Sequence, residues 1–92
     1  MSKHHDLKCL PQYFEQVVVG KKTFEVRIND RDYQQGDTIK LHEYDAETKK
    51  YSGFSSMTYR IGYVLDLRKY LALDDTFVVL SLVIEPDLNQ HS

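Results

Sequence analysis

The run FVVLSLVI, Phe77 to Ile84, constrains the fold more than any other stretch of the chain. All but one of its residues are apolar, half are β-branched, and charged or turn-forming residues bound it on both sides. At that length and composition it reads as a β-strand buried on both faces, and such a strand needs neighbours within a sheet. The chain supplies them as period-two alternations. In Thr23 to Asn29, Phe24, Val26 and Ile28 alternate with Thr23, Glu25, Arg27 and Asn29. In Asp37 to Tyr44, Ile39 and Leu41 point inward and Thr38, Lys40, His42 and Tyr44 outward. A further strand is expected from about Met57 to Leu65, with Met57, Tyr59, Ile61 and Tyr63 on one face. A short one opens the chain at Asp6 to Leu10, with Leu7 and Cys9 on the side opposite Lys8.

The clearest helical signals lie near the start of the chain. Pro11 suits the first turn of a helix, Phe14, Val17 and Val18 form an apolar stripe, and Gly20 stands where a C-terminal glycine is expected. Gly62 marks a bulge or a close backbone approach. DAETKKYSGFSS reads as a loop or hairpin tip, DLRKYLALDD as either a helical turn or an irregular connection, and the tail from about residue 86 as frayed. About five strands, one early helix and no βαβ rhythm predict an α+β, β-dominant fold. Its form is a small mixed or antiparallel barrel, or a strongly curved sheet, with the helix packed beside it. With 92 residues, 41% hydrophobic and 28% charged, the expectation is one domain over residues 1 to 92.

The formal net charge of −2 excludes the strongly basic kind of nucleic-acid binder. Charge is uneven along the chain: Gly20 to Asp32 carries one net positive charge, whereas Leu71 to Ser92 carries only acids. A single cysteine, Cys9, no secretory leader in MSKHHDLK and no apolar run of bilayer length together predict a cytoplasmic protein without membrane contact. His4, His5 and His42 follow no zinc-ligand spacing, so neither a metal nor another cofactor is expected.

The polar side of the Thr23 to Asn29 strand is the candidate site. Positions two apart share a face about 6.5 to 7 Å apart, so Glu25 and Arg27 stand side by side. A carboxylate beside a guanidinium offers an acceptor and a fork of donors, suited to a polar planar group or a phosphate. Lys22 adds an ammonium at the strand entrance. A solvated strand face is the plainer explanation of the same pattern, and such surface pairs contribute little. Glu43 falls at an inward parity: either the strand has emerged from the barrel there, or Glu43 needs a cation such as Lys22 or Arg27. Most of the seven tyrosines and four phenylalanines must fill the core of a chain without tryptophan. Tyr33 and Tyr44 are retained as stacking platforms for bases.

Gly20, Lys22, Glu25 and Arg27, spaced G-x-K-x-x-E-x-R, resemble the signature of the ASCH domains, small β-barrels of the PUA-like superfamily associated with RNA. The longer stretch HDLKCLPQYFEQVVVGKKTFEVRINDRDYQQGDTIKLHEYD resembles a bacterial and phage group of small ASCH-like proteins of unknown function. The resemblance implies a PUA-like barrel whose motif residues line a cleft between barrel and helix. Lys22 and Arg27 correspond to its basic pair, Glu25 to its acid and Gly20 to the glycine of the helix-to-strand turn. His5 and Lys8 match the opening strand, and Asp30 and Arg31 the loop after the motif. Some ASCH proteins are amidohydrolases that deacetylate a modified cytidine with a lysine, a threonine and a glutamate. Lys22 matches that lysine, but Glu25 stands where the threonine would be, and Thr23 lies one strand step earlier.

The leading expectation is therefore a module binding RNA or a nucleotide through Lys22, Glu25 and Arg27, with His5, Lys8, Arg31 and Tyr33 contributing and a monomeric state favoured. The alternatives are a small amidohydrolase acting on an acylated nucleoside, with Lys22 and Glu25 at its centre, and an accessory domain that binds other proteins.

Overall fold

A computed structural model describes residues 2–71 and 76–90. Five strands form one sheet: β1 (His4–Cys9), β2 (Phe24–Ile28), β3 (Thr38–Asp45), β4 (Lys50–Asp66) and β5 (Phe77–Ile84). Helix α1 (Pro11–Val18) follows β1, and α2 (Leu67–Leu71) follows β4. The strand order is β1-β3-β4-β5-β2. β1 runs parallel to β3, and the other neighbouring pairs are antiparallel. The sheet curls into a half-barrel, so that Arg27 and Arg31, on and just after β2, reach the backbone of β1 at the opposite edge. The β-dominant α+β expectation is thus met.

Inward residues of every strand but β2 build the core. Leu7 and Cys9, Ile39 and Leu41, Tyr59 and Ile61, and Val78, Leu80 and Leu82 are all buried, and α1 lays Phe14 and Val17 onto them. Only part of the α1 stripe is buried, because Val18 is exposed at the helix end. The β5 run lies inside the sheet, as its composition requires, but its burial alternates: Phe77 and Val79 face outward and are only partly covered, beside α2. Of the ambiguous DLRKYLALDD segment, Leu67–Leu71 is helical and residues 72–75 lie outside the described residues.

β4 departs from simple alternation. A register shift between Ile61 and Val64 changes which residues face in, so Tyr63 turns to solvent while Val64 packs on the core. Gly62 sits in this shift, and a Cβ there would stand 2.6 Å from Val83 Cγ2. Two further shifts break the β3–β4 pairing, and Met57 accordingly points outward. Beside one of them, buried Ser56 accepts a hydrogen bond from the Leu41 amide (3.0 Å) and donates to the Met57 carbonyl (2.7 Å). The hydroxyl thereby serves backbone groups that the broken ladder would leave unpaired. The tail also differs from a frayed end: Pro86–Asn89 forms a 3-10 turn. Asn89 Oδ1 accepts from the Thr58 amide (2.7 Å) and its Nδ2 donates to the Thr58 carbonyl (3.0 Å).

The largest correction concerns β2. Its apolar residues face outward, Phe24, Val26 and Ile28 being 43%, 49% and 55% exposed, while Glu25 is only 4% exposed. The reason lies in its position at the sheet edge. Its inner face meets the gap facing β1 rather than the dry core, and its outer face continues the apolar outer surface of β5 through the pairs Val26–Val79 and Ile28–Phe77.

Candidate functional site

α1 ends in a Schellman motif, which sets the entrance to the site. Gly20, at φ +84°, donates to the Val17 carbonyl (3.0 Å), and Lys21 donates to Gln16 (3.0 Å). The Lys22 amide bonds to the same Gln16 carbonyl (2.9 Å), which fixes the direction in which the chain enters β2. Lys22 Nζ then reaches Glu25 Oε1 and the Phe24 carbonyl, each at 2.7 Å.

The other carboxylate oxygen belongs to Arg27. Glu25 Oε2 accepts from Arg27 Nε (3.2 Å) and Nη2 (3.0 Å), and Nη2 also donates to the Lys8 carbonyl on β1. A buried, unpaired carboxylate is costly, and here two cations offset that cost. Three of the roughly four acceptor positions of Glu25 are occupied. The cations are not spent. Arg27 Nη1 and one Nζ proton of Lys22 have no partner among the described residues, and Lys8 makes no ion pair there.

These groups line a cleft of about 530 Å³ bounded by Lys8, Cys9 and Leu10 from the end of β1, Tyr13 from α1, and Lys22 with Phe24 to Arg27 from β2. That volume is typical of small-ligand sites. Tyr13 and Phe24 stand at the cleft with Lys22 Nζ 5.8 and 4.8 Å from their ring centroids. Burial, and after it the charge of Glu25, push the Cys9 thiol up to about 11, so it stays protonated at neutral pH.

The residues expected at the site divide into two groups. Lys22, Glu25, Arg27 and Lys8 come together in the cleft, but His5, Tyr33 and Arg31 do not. His5 is buried, its Nε2 donating to Asp37 Oδ2 (2.8 Å), with its ring 4.7 Å from that of Tyr33. Asp37 also accepts from the amides of Lys3 and Gln34. Burial alone would raise its carboxyl, but these bonds outweigh burial and hold it below the usual carboxylate range. Tyr33, at 3% exposure, is core and offers no stacking face. Arg31 donates to the Asp6 carbonyl (3.3 Å) and, with Tyr33, lines a neighbouring cavity of about 310 Å³ that shares Val26 and Arg27 with the cleft. Glu43, half-buried, is also placed elsewhere, in a cavity beside Pro11 and Tyr51, and pairs with neither Lys22 nor Arg27. Thr23 lines a different apolar pocket.

Sequence reasoning missed Tyr13 and Phe24. The alternation of Phe24 with charged residues reads as a core-facing pattern, and Tyr13 falls outside the Phe14, Val17 and Val18 stripe. Their one legible signal was an aromatic residue on each side of the G-x-K turn. Two expected outliers, His4 and His42, share a carboxylate: His4 Nε2 (3.3 Å) and His42 Nε2 (2.8 Å) both meet Asp6 Oδ1. Among the described residues no cluster of three or more His, Cys, Asp or Glu is arranged to hold a metal ion. Nor is any described helix long and apolar enough to cross a membrane.

A family model described as "Domain of unknown function (DUF3850)" matches residues 4–82, which includes every residue of the cleft. The chain belongs to this family. It is also similar to a phage protein, the "Uncharacterized 12.9 kDa protein in GpA 3'region" of Escherichia phage P2, with 48% identity over 44 residues. That alignment covers 48% of the DUF3850 chain and 40% of the phage protein, so the chain matches less than half the length of this relative.

Proposed function

We propose that the cleft at the β1–β2 seam binds a nucleotide or a short single-stranded RNA segment, in the manner of a PUA-like module of ASCH type. The observation that carries this reading is the buried Glu25 clamped between Lys22 and Arg27 at a cleft, with donors of both cations that have no partner among the described residues. Both protons of Arg27 Nη1 and one of Lys22 Nζ have no partner among the described residues, an arrangement suited to phosphate. Tyr13 and Phe24 supply aromatic faces for a planar ring. Glu25 holds the two cations in place rather than reading a base amino group, because it is almost fully buried and its acceptor positions are nearly filled. Resemblance of the G-x-K-x-x-E-x-R residues to the ASCH signature supports the same reading.

The amidohydrolase alternative ranks lower for the same chemical reasons. A carboxylate already bonded to two cations is a poor base toward water, Thr23 lines another pocket, and Cys9 is a protonated thiol. A binding experiment decides the leading proposal. Fluorescence anisotropy with short labelled RNAs at low salt should show saturable binding, weakened at least tenfold in Arg27→Ala and partly restored in Arg27→Lys. Absence of binding at low salt, or equal binding by a folded Arg27→Ala protein, overturns it. Acetate release from acetylated cytidine, abolished by Lys22→Ala, would instead favour the enzyme.

A further inference from the structure

Lys8 joins the cleft to a second feature. Its Nζ lies 4.4 Å from the ring centroid of Tyr44 on β3, while its own residue lines the cleft. Tyr44 is paired across the sheet with Tyr51 on β4, their rings 4.9 Å apart and inclined at 64° in an edge-on contact. Tyr51 is 57% exposed. Lys8, a cation without a carboxylate partner among the described residues, thus neighbours both the cleft with its aromatic residues Tyr13 and Phe24 and a tyrosine pair of which Tyr51 is exposed and Tyr44 half-buried.

We propose that the Tyr44–Tyr51 pair is a second base-stacking subsite, so that the ligand of the cleft is a single-stranded oligonucleotide of at least two residues and not a mononucleotide. This rests on the nucleotide reading of the cleft. A nucleic-acid strand alternates planar bases with phosphates, and Lys8 likewise neighbours the aromatic residues of the cleft and the tyrosine pair. The phosphate between the first base and the next meets Lys8, and the next base stacks on the outer face of Tyr51. Lys8 is held for this by the Tyr44 ring rather than by an acid, so an incoming phosphate displaces no ion pair. The cavity that Tyr51 also lines holds two acids, Glu43 and Asp45, against one cation, Lys50. Its net negative charge disfavours a continuing phosphate backbone, so the footprint stays short.

A cross-strand tyrosine pair also stabilises a hairpin, and the test separates the two roles. Affinities of a ribonucleoside monophosphate and of the corresponding di- and trinucleotides are measured by calorimetry at low salt. The dinucleotide should bind about tenfold or more tightly than the mononucleotide, and the trinucleotide should add little. Tyr51→Leu should abolish that gain without changing mononucleotide affinity, and Tyr51→Phe, which keeps the ring, should retain it. Equal affinity at all lengths, or a gain that survives Tyr51→Leu, overturns the second subsite while leaving the cleft standing. No binding of any length overturns both readings.

Discussion

Glu25 shows how a single side chain can serve structure and site together. Each of its oxygens meets a cation, and Lys22 and Arg27 are themselves mostly buried, their side chains 19% and 24% exposed. Removing the negative charge leaves two neighbouring cations without their counter-ion in a partly enclosed space. Glu25→Gln is therefore expected to destabilise the fold by about 1–3 kcal/mol, read as a lower urea midpoint. It should also weaken RNA binding, because Arg27 loses the carboxylate that orients it. Cys9 provides a second check at this scale. With its thiol pushed up to about 11 by burial, it should react with iodoacetamide at pH 8 far more slowly than a free thiol, and reach the free rate only in urea. Fast alkylation of the folded protein would mean that the cleft floor is open to solvent.

The elements depend on two glycines for opposite reasons. Gly20 adopts φ +84° and has open space around its missing side chain, so only backbone strain opposes a substitution there. Gly20→Ala should cost about 1 kcal/mol, and Gly20→Asn less, because asparagine tolerates the left-handed conformation. Gly62 has no such backbone constraint, but an added Cβ meets Val83 Cγ2 at 2.6 Å and Ser81 Oγ at 3.0 Å. Gly62→Ala should cost about 1–3 kcal/mol, with Gly62→Asn worse than alanine. The reversed order of alanine and asparagine at the two sites, measured by thermal or urea unfolding, distinguishes strain from overpacking. The Gly20 turn was legible in the sequence because a C-terminal glycine has a local conformational cause. The parity changes in β4 were not, since shifts in register arise from how two strands pair rather than from either strand's own pattern.

At the scale of the whole molecule, the buried His5–Asp37 pair ties the first strand to the turn before β3. Asp37 is held below the usual carboxylate range in the folded state, whereas the unfolded chain releases it to roughly 3.9. The stabilisation is therefore complete above about pH 5 and is lost as pH falls through the lower folded value. The urea midpoint should drop on acidification from about pH 5 to pH 3, and in Asp37→Asn that acid limb should be shallower. A midpoint with the same acid dependence in the variant would place the titrating group elsewhere. Half-barrel closure is decided at this scale too. β1 and β2 are far apart in strand order, and the described links between them run from arginine side chains to backbone carbonyls, Arg27 to Lys8 and Arg31 to Asp6. A cleft remains where a closed barrel would have a backbone ladder.

The strands with apolar inward faces, the single early helix with its glycine stop, and the proximity of Glu25 to Arg27 follow from local periodicity and turn chemistry, and the sequence by itself determined them. Which face of β2 points inward was decided only by the tertiary structure. Alternation identifies two faces but not the side on which the core lies, and at a sheet edge the interior is a cleft whose cations make a buried carboxylate tolerable. The same cause moved Phe24 to the site and drew His5 and Tyr33 away from it, because side chains distant in sequence set the surroundings of each.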